Sequence, residues 1–222
     1  MNKQKNTLIL GALALIAVAA IAWYFLQPPA PGTGTAVASG SGYVLTDHDL
    51  GMGNPKAPVV LIEYAAPSCP VCAQFNEVVV PELKANYIDT GKVYYVFRIF
   101  PLRPDDGAAE KIARCLPEDK YFAFIDLLFR NQSKWDVEYG VQDVHGGLVR
   151  LARIAGMSAE QADQCMNDTA LDKTINDVAE DGQSKYAITG TPTIVVDGQA
   201  QKSGFISYAT LKTTIDTALA KK

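Results

Sequence analysis

Two of the four cysteines sit three residues apart, in Cys69-Pro70-Val71-Cys72, directly after the apolar run VVLIEYAA at residues 59–66. That run is rich in β-branched residues and bracketed by Pro58 and Pro67, a pattern that predicts a buried strand. Cys69 then falls at a turn, and a helix is expected from about residue 70 to 87. Its buried face would carry Phe75, Val78, Val79 and Leu83, with a kink or break at Pro81. Pro70 is tolerated in the first turn because that position's N–H has no helical partner anyway. Residues 92–100 (KVYYVFRIF) read as a second strand, so the strand–helix–strand order calls for a parallel, right-handed crossover.

A cysteine pair across a helix start can close a small disulfide ring. The N–H groups and dipole of the helix start favour negative charge, so the Cys69 thiolate should be stabilised and its pKa lowered. A stabilised thiolate leaves readily in exchange, which makes the disulfide form the better oxidant. Cys72, one turn in, should be more buried and act as the resolving thiol. Two other readings of the pair stay open: half of a zinc site, or a purely structural small loop. A zinc knuckle needs a second close pair, and Cys115 and Cys165 are isolated from each other. With only His48 and His145 available, a His-rich metal site is excluded by supply. No metal ligand and no cofactor is assigned.

The N-terminus bears on compartment. Lys3 and Lys5 precede Leu8 to Leu26, nineteen residues without a charge, and the next charged residue is Asp47. The length fits a membrane anchor with a cytoplasmic N-terminus, and Trp23 and Tyr24 suit a membrane interface. A cleaved signal peptide is the other reading, since Ala20-Ile21-Ala22 and Ala36-Val37-Ala38 have small-x-small form. Either way the domain is exported, giving a periplasmic or other extracytoplasmic location, tethered to the cytoplasmic membrane if the segment stays attached. Residues 1–26 are thus a signal or anchor segment. Residues 27–42 (QPPAPGTGTAVASGSG) are a flexible linker, and the folded domain runs from 43 to 222. A net charge of −4 leaves no electrostatic footprint for nucleic acid.

A helical stretch at about 105–186 separates the two strands from a short strand at 193–196 (TIVV). An Asp197-Gly198 hairpin turn follows, with a return strand near 202–205 and a C-terminal amphipathic helix at 207–219. Ser158 with Gln161 has capping-box form. The layout is α/β with helices inserted between its halves. Cys115 and Cys165 both fall in the insertion. In an oxidising compartment they are expected to form a structural disulfide, two free buried thiols or a second redox pair being the alternatives. The aromatics Tyr121, Phe122, Phe124 and Phe129 read as core.

The segment VVLIEYAAPSCPVC resembles the active-site region of the DsbA-type thiol:disulfide oxidoreductases of the thioredoxin superfamily, and the likeness extends from about Leu50 to the C-terminus. It implies a thioredoxin-like fold with a helical insertion. It also implies a surface nucleophile at Cys69 that forms mixed disulfides with reduced secreted polypeptides, and a resolving Cys72. A quinone-linked membrane partner would reoxidise the protein. Glu63 lies in the apolar strand six residues before Cys69, where the family has a buried acid. Burial would raise its pKa and suit proton exchange with Cys72, whereas a solvent-facing glutamate on a one-sided strand would have no such role. TGTPTIVV resembles the superfamily loop in which the proline is cis, so Thr191-Pro192 is expected beside the redox pair, its backbone turned toward an extended substrate. A trans proline opening a strand is the alternative. Pro70 and Val71 complete the expected substrate-binding set.

Two departures matter. Val71 stands where the DsbA archetype has histidine and offers no charge or ring N–H to the thiolate. Thr191 matches the isomerase branch, and its hydroxyl could donate to a nearby sulfur. A reductase or isomerase, or a non-catalytic polypeptide-binding module of the same fold, is therefore the competing expectation. Isomerases of this superfamily usually dimerise through a separate N-terminal domain, and the segment between the linker and the first strand is too short for one.

Overall fold

A computed structural model describes residues 45–222 of the chain. The expected anchor and linker, residues 1–42, lie outside them. The described residues build a five-stranded sheet in the order β1-β3-β2-β4-β5. Its strands are β1 (Leu50–Met52), β2 (Val59–Ala65), β3 (Val93–Ile99), β4 (Thr193–Val196) and β5 (Gln199–Ala200). Parallel pairing of β2 with β3 requires a crossover, which α1 (Pro70–Val78), α2 (Val80–Leu83) and a π-helical turn at Lys84–Ile88 supply. The other pairings are antiparallel.

The break expected near Pro81 falls at Val79, whose backbone N–H closes the last turn onto Phe75. A proline at 81 cannot donate to residue 77, so the chain restarts as the one-turn α2. Because the axis changes there, the single apolar face does not survive. Phe75, Val79 and Leu83 are buried, while Val78 is 49% exposed, contrary to expectation.

Between β3 and β4 come six α-helices, α3 (Pro104–Cys115), α4 (Glu118–Arg130), α5 (Gln132–Trp135), α6 (Val144–Ile154), α7 (Ala159–Met166) and α8 (Thr169–Tyr186), and a 3-10 turn at Val137–Tyr139. Ser158 and Gln161 form the expected capping box at the start of α7. In the hairpin, Asp197 and Gly198 both have positive φ, so the turn closes at once and Gln199 pairs with Val196. The return strand is therefore 199–200 rather than 202–205. Beyond it Gly204 donates its N–H to the Pro192 carbonyl at 2.9 Å. Helix α9 (Tyr208–Leu219) is capped by Ser207.

Strand β1 carried no sequence signal. It is three residues long, and the Tyr94 ring lies over Gly51 so closely that a Cβ there would stand 2.2 Å from it.

The two faces of the sheet bury different sets. Leu61, Ala65, Tyr95, Phe97 and Ile99 join Cys69, Cys72 and Phe75 and the aromatic residues of α4 in the larger core. Val60, Ile62, Tyr64 and Val96 pack on the other side, with Ala179 and Tyr186 of α8 against them. Glu63 has the parity of Leu61 and Ala65, so it faces the side that holds the cysteine pair. Among the described residues no helix is long and apolar enough to cross a membrane.

Candidate active site

β2 delivers the chain into a tight turn in which the Cys69 N–H donates to the Ala66 carbonyl at 3.0 Å. Cys69 is the N-cap of α1, with extended backbone and Pro70 behind it in the first turn. Its sulfur accepts the backbone N–H of Cys72 at 3.1 Å, occupying one of the donors a helix start leaves unpaired. The two cysteines are joined, with Cα atoms 5.2 Å apart. Cys69 is 3% exposed and Cys72 fully buried. The order of burial matches the expectation, but Cys69 is not a surface residue. It is reached instead through a cleft of about 670 Å³ lined by Ser68, Pro70, Leu102, Arg103, Tyr139 and Thr191, among others. Pro70 and Val71 are exposed at the turn.

Across the cleft the Thr191–Pro192 peptide is cis. The carbonyl oxygen of Thr191 lies 3.7 Å from the Cys69 sulfur. The Thr191 hydroxyl is buried with no partner among the described residues, so the expected hydroxyl-to-sulfur bond is not formed. The backbone carbonyl, not the side chain, meets the sulfur.

Two buried polar groups not singled out in the sequence hold this turn. The Asp106 carboxylate, at the start of α3, accepts the Ser68 N–H at 2.8 Å and the Ser68 hydroxyl at 3.0 Å. It also accepts the N–H groups of Leu102 at 2.9 Å and Arg103 at 3.0 Å, tying one cleft wall to the residue before Cys69. Burial pushes its pKa up, against the pull of these donors. From the other wall, the Gln132 amide donates to the carbonyls of Pro67 at 2.8 Å and Cys69 at 3.1 Å. The Tyr139 hydroxyl in turn donates to Gln132 at 3.1 Å. Arg103 joins the walls by pairing with Asp136 at 2.8 Å and Glu138 at 2.7 Å.

Glu63 is 1% exposed and central in the sheet, opposite Phe97 on β3 and Ile194 on β4. The solvent-facing alternative is therefore excluded. Its Oε2 accepts a short hydrogen bond from the Tyr95 hydroxyl, and its Oε1 is buried with no partner among the described residues. Loss of hydration raises its pKa from 4.5 to about 8, with the Tyr95 bond pulling the other way. At neutral pH the group is largely protonated.

Cys115, at the end of α3, is joined to Cys165 of α7, with Cα atoms 6.2 Å apart. Cys115 is exposed and Cys165 half-buried, so neither is a buried thiol. Among the described residues no cluster of three or more metal-ligating side chains occurs.

A family model described as Thioredoxin matches residues 45–217. The structure superposes on alpha-DsbA1 of Wolbachia pipientis with a TM-score of 0.70 at 30% identity, covering 78% of this chain and 92% of that one. Oxidised BdbD of Bacillus subtilis gives a TM-score of 0.70 at 25% identity, covering 84% and 100%. A Rickettsia conorii protein named as a protein-disulfide oxidoreductase is 31% identical over 185 residues, covering 81% of this chain and 64% of that protein. The chain thus spans a little under two-thirds of that curated relative. The sheet with helices inserted before the cis proline is the thioredoxin-like fold of these neighbours.

Proposed function

The chain belongs to the thioredoxin family, and from that premise we propose that it is an exported oxidase, passing its Cys69–Cys72 disulfide to reduced polypeptides. The observation that carries this is the Cys69 sulfur, held at the start of α1 by the Cys72 N–H and opening on a cleft beside the Thr191 carbonyl.

In the first step a substrate thiolate attacks the Cys69 sulfur and the Cys69–Cys72 bond breaks. The electron pair leaves on Cys72, and we assign its proton to neutral Glu63, which lies on the same face of the sheet without a direct hydrogen bond to either sulfur. A second substrate thiolate then attacks the substrate sulfur of the mixed disulfide and expels Cys69 as a thiolate. The substrate gains a disulfide and loses two electrons to the protein, which becomes the dithiol. Donors at the helix start stabilise the expelled Cys69 thiolate and draw the exchange forward. The cis turn at Thr191 presents backbone to an extended substrate, which can pair there like an added strand. The leading residues Leu8 to Leu26 would export the domain, or anchor it, and a quinone-linked membrane partner would reoxidise it.

Val71 favours a second reading, reductase or isomerase, because it gives the Cys69 thiolate no charge or ring donor. One experiment separates the readings. Oxidised protein is mixed with a reduced, unfolded polypeptide, and thiols on both are counted while the redox pair is equilibrated in glutathione buffers. The oxidase oxidises the polypeptide stoichiometrically and has a strongly oxidising potential. A potential near the ~−270 mV of thioredoxin would favour the reductase. Retention of full function by Cys69→Ser would mean a binding module.

A further inference from the structure

We propose that Tyr95 is a positioning residue for Glu63: by donating its hydroxyl to Oε2, it reserves Oε1 as the atom that carries and exchanges the proton. This deepens the reading of Glu63 as the proton partner of the cysteine pair and rests on it.

The placement follows from register. Glu63 of β2 stands opposite Phe97, and Tyr95 opposite Leu61. Tyr95 is therefore the diagonal neighbour of Glu63 on the same face of the parallel pair, within reach of a long side chain. Tyr95 is 3% exposed, so its phenol meets the carboxyl out of water. A phenol that donates to one carboxyl oxygen makes that oxygen the carbonyl-like one. In the neutral acid the proton then belongs on Oε1, which is buried and has no partner among the described residues.

Among the described residues no charged side chain shifts Glu63. Ile194 lies opposite on β4, and Cys69, Cys72 and Phe75 pack on the same face from α1. Behind Tyr95 stands Tyr121, whose hydroxyl is bound to Glu110, itself paired with Arg114 at 2.7 Å. Among the described residues Glu63 makes no ion pair, and Tyr95 is the polar side chain that acts on its titration. Most buried carboxylates are held by a cation or by several donors. Here one neutral donor leaves the acid able to take or release a proton without breaking an ion pair, and Tyr95 sets how readily it does so. The hydrogen bond steadies the carboxylate, so removing it should make Glu63 harder to ionise.

The test compares the full chain with Tyr95→Phe, Glu63→Gln and the double variant. The readouts are the pH dependence of Cys72 attack on a preformed mixed disulfide at Cys69, which is the reverse of the first exchange step and moves the same proton, and the isotope-edited infrared carbonyl band of Glu63. In the parent the band is that of a hydrogen-bonded, protonated carboxyl, and it disappears in Glu63→Gln. Tyr95→Phe should move the band to the frequency of a free carbonyl and shift the pH midpoint upward by about half to one unit. In the Glu63→Gln background the same change should leave the profile where it is. A free-carbonyl band in the parent overturns the proposal without requiring any variant to fold. An unshifted midpoint in Tyr95→Phe, or a shift that persists without Glu63, also overturns it. If the band responds as described but no polypeptide is oxidised, the functional reading fails and the Tyr95 assignment stands.

Discussion

The side-chain amide of Gln132 donates to the backbone carbonyl of Cys69 at 3.1 Å, from a helix that the sequence places after the second strand. The same amide holds the Pro67 carbonyl at 2.8 Å, so one buried side chain fixes the turn on both sides of Ser68. Truncation by Gln132→Ala leaves both carbonyls and the Tyr139 hydroxyl short of their partner. The oxidised protein should lose about 1–3 kcal/mol of unfolding free energy, measured by denaturant titration, and exchange more slowly with peptide thiols. Unchanged stability would show that water replaces the amide at no cost.

Glu63 makes stability depend on pH in a direction opposite to that of a salt-bridged carboxylate. Its pKa is raised on folding from 4.5 to about 8, so across that window the native state binds more protons than the unfolded one. Stability from this group is fully present below about pH 4.5 and is lost as pH rises toward 8. Glu63→Gln removes the slope, which is at most about 1.4 kcal/mol per pH unit. Unfolding titrations at pH 5, 6, 7 and 8 should therefore show the variant gaining on the parent at each step. Parallel curves would mean that Glu63 ionises in the fold as it does in the unfolded chain.

The Cys115–Cys165 bond ties the end of α3 to α7 across a separation of 50 residues. Closing a loop of that size is worth ~4 kcal/mol by chain entropy. The double variant Cys115→Ala, Cys165→Ala should lower unfolding free energy by an amount of that order while leaving the Cys69–Cys72 exchange in place. A loss of exchange with stability intact would instead make this pair part of the redox chemistry.

What the sequence revealed divides by range. The strand, turn and helix around Cys69 are local, and an apolar run, two prolines and a cysteine spacing report them directly. The break in the crossover helix was legible at Pro81, but its effect on Val78 was not, because one helical wheel assumes one axis. The cis proline was visible only through family likeness, since no local pattern sets an X–Pro isomer. The partners of the site were hidden for a different reason. Glu63 and Tyr95 are 32 residues apart, and Ser68 and Asp106 are 38 apart. A tyrosine in an apolar strand and an acid in the first turn of a helix each have an ordinary local explanation. Only the register of β2 against β3 and the docking of α3 on the turn reveal what they hold.

The central claim is that donors at the start of α1 let the Cys69 sulfur carry negative charge at low cost. The direct measurement is alkylation of the reduced full-length protein as a function of pH, with the modified cysteine identified by mass spectrometry. Cys69 should react first, with a midpoint clearly below the ~8.5 of a free thiol. A midpoint at or above that value would contradict the account, because the disulfide would then have no excess oxidising power to pass on.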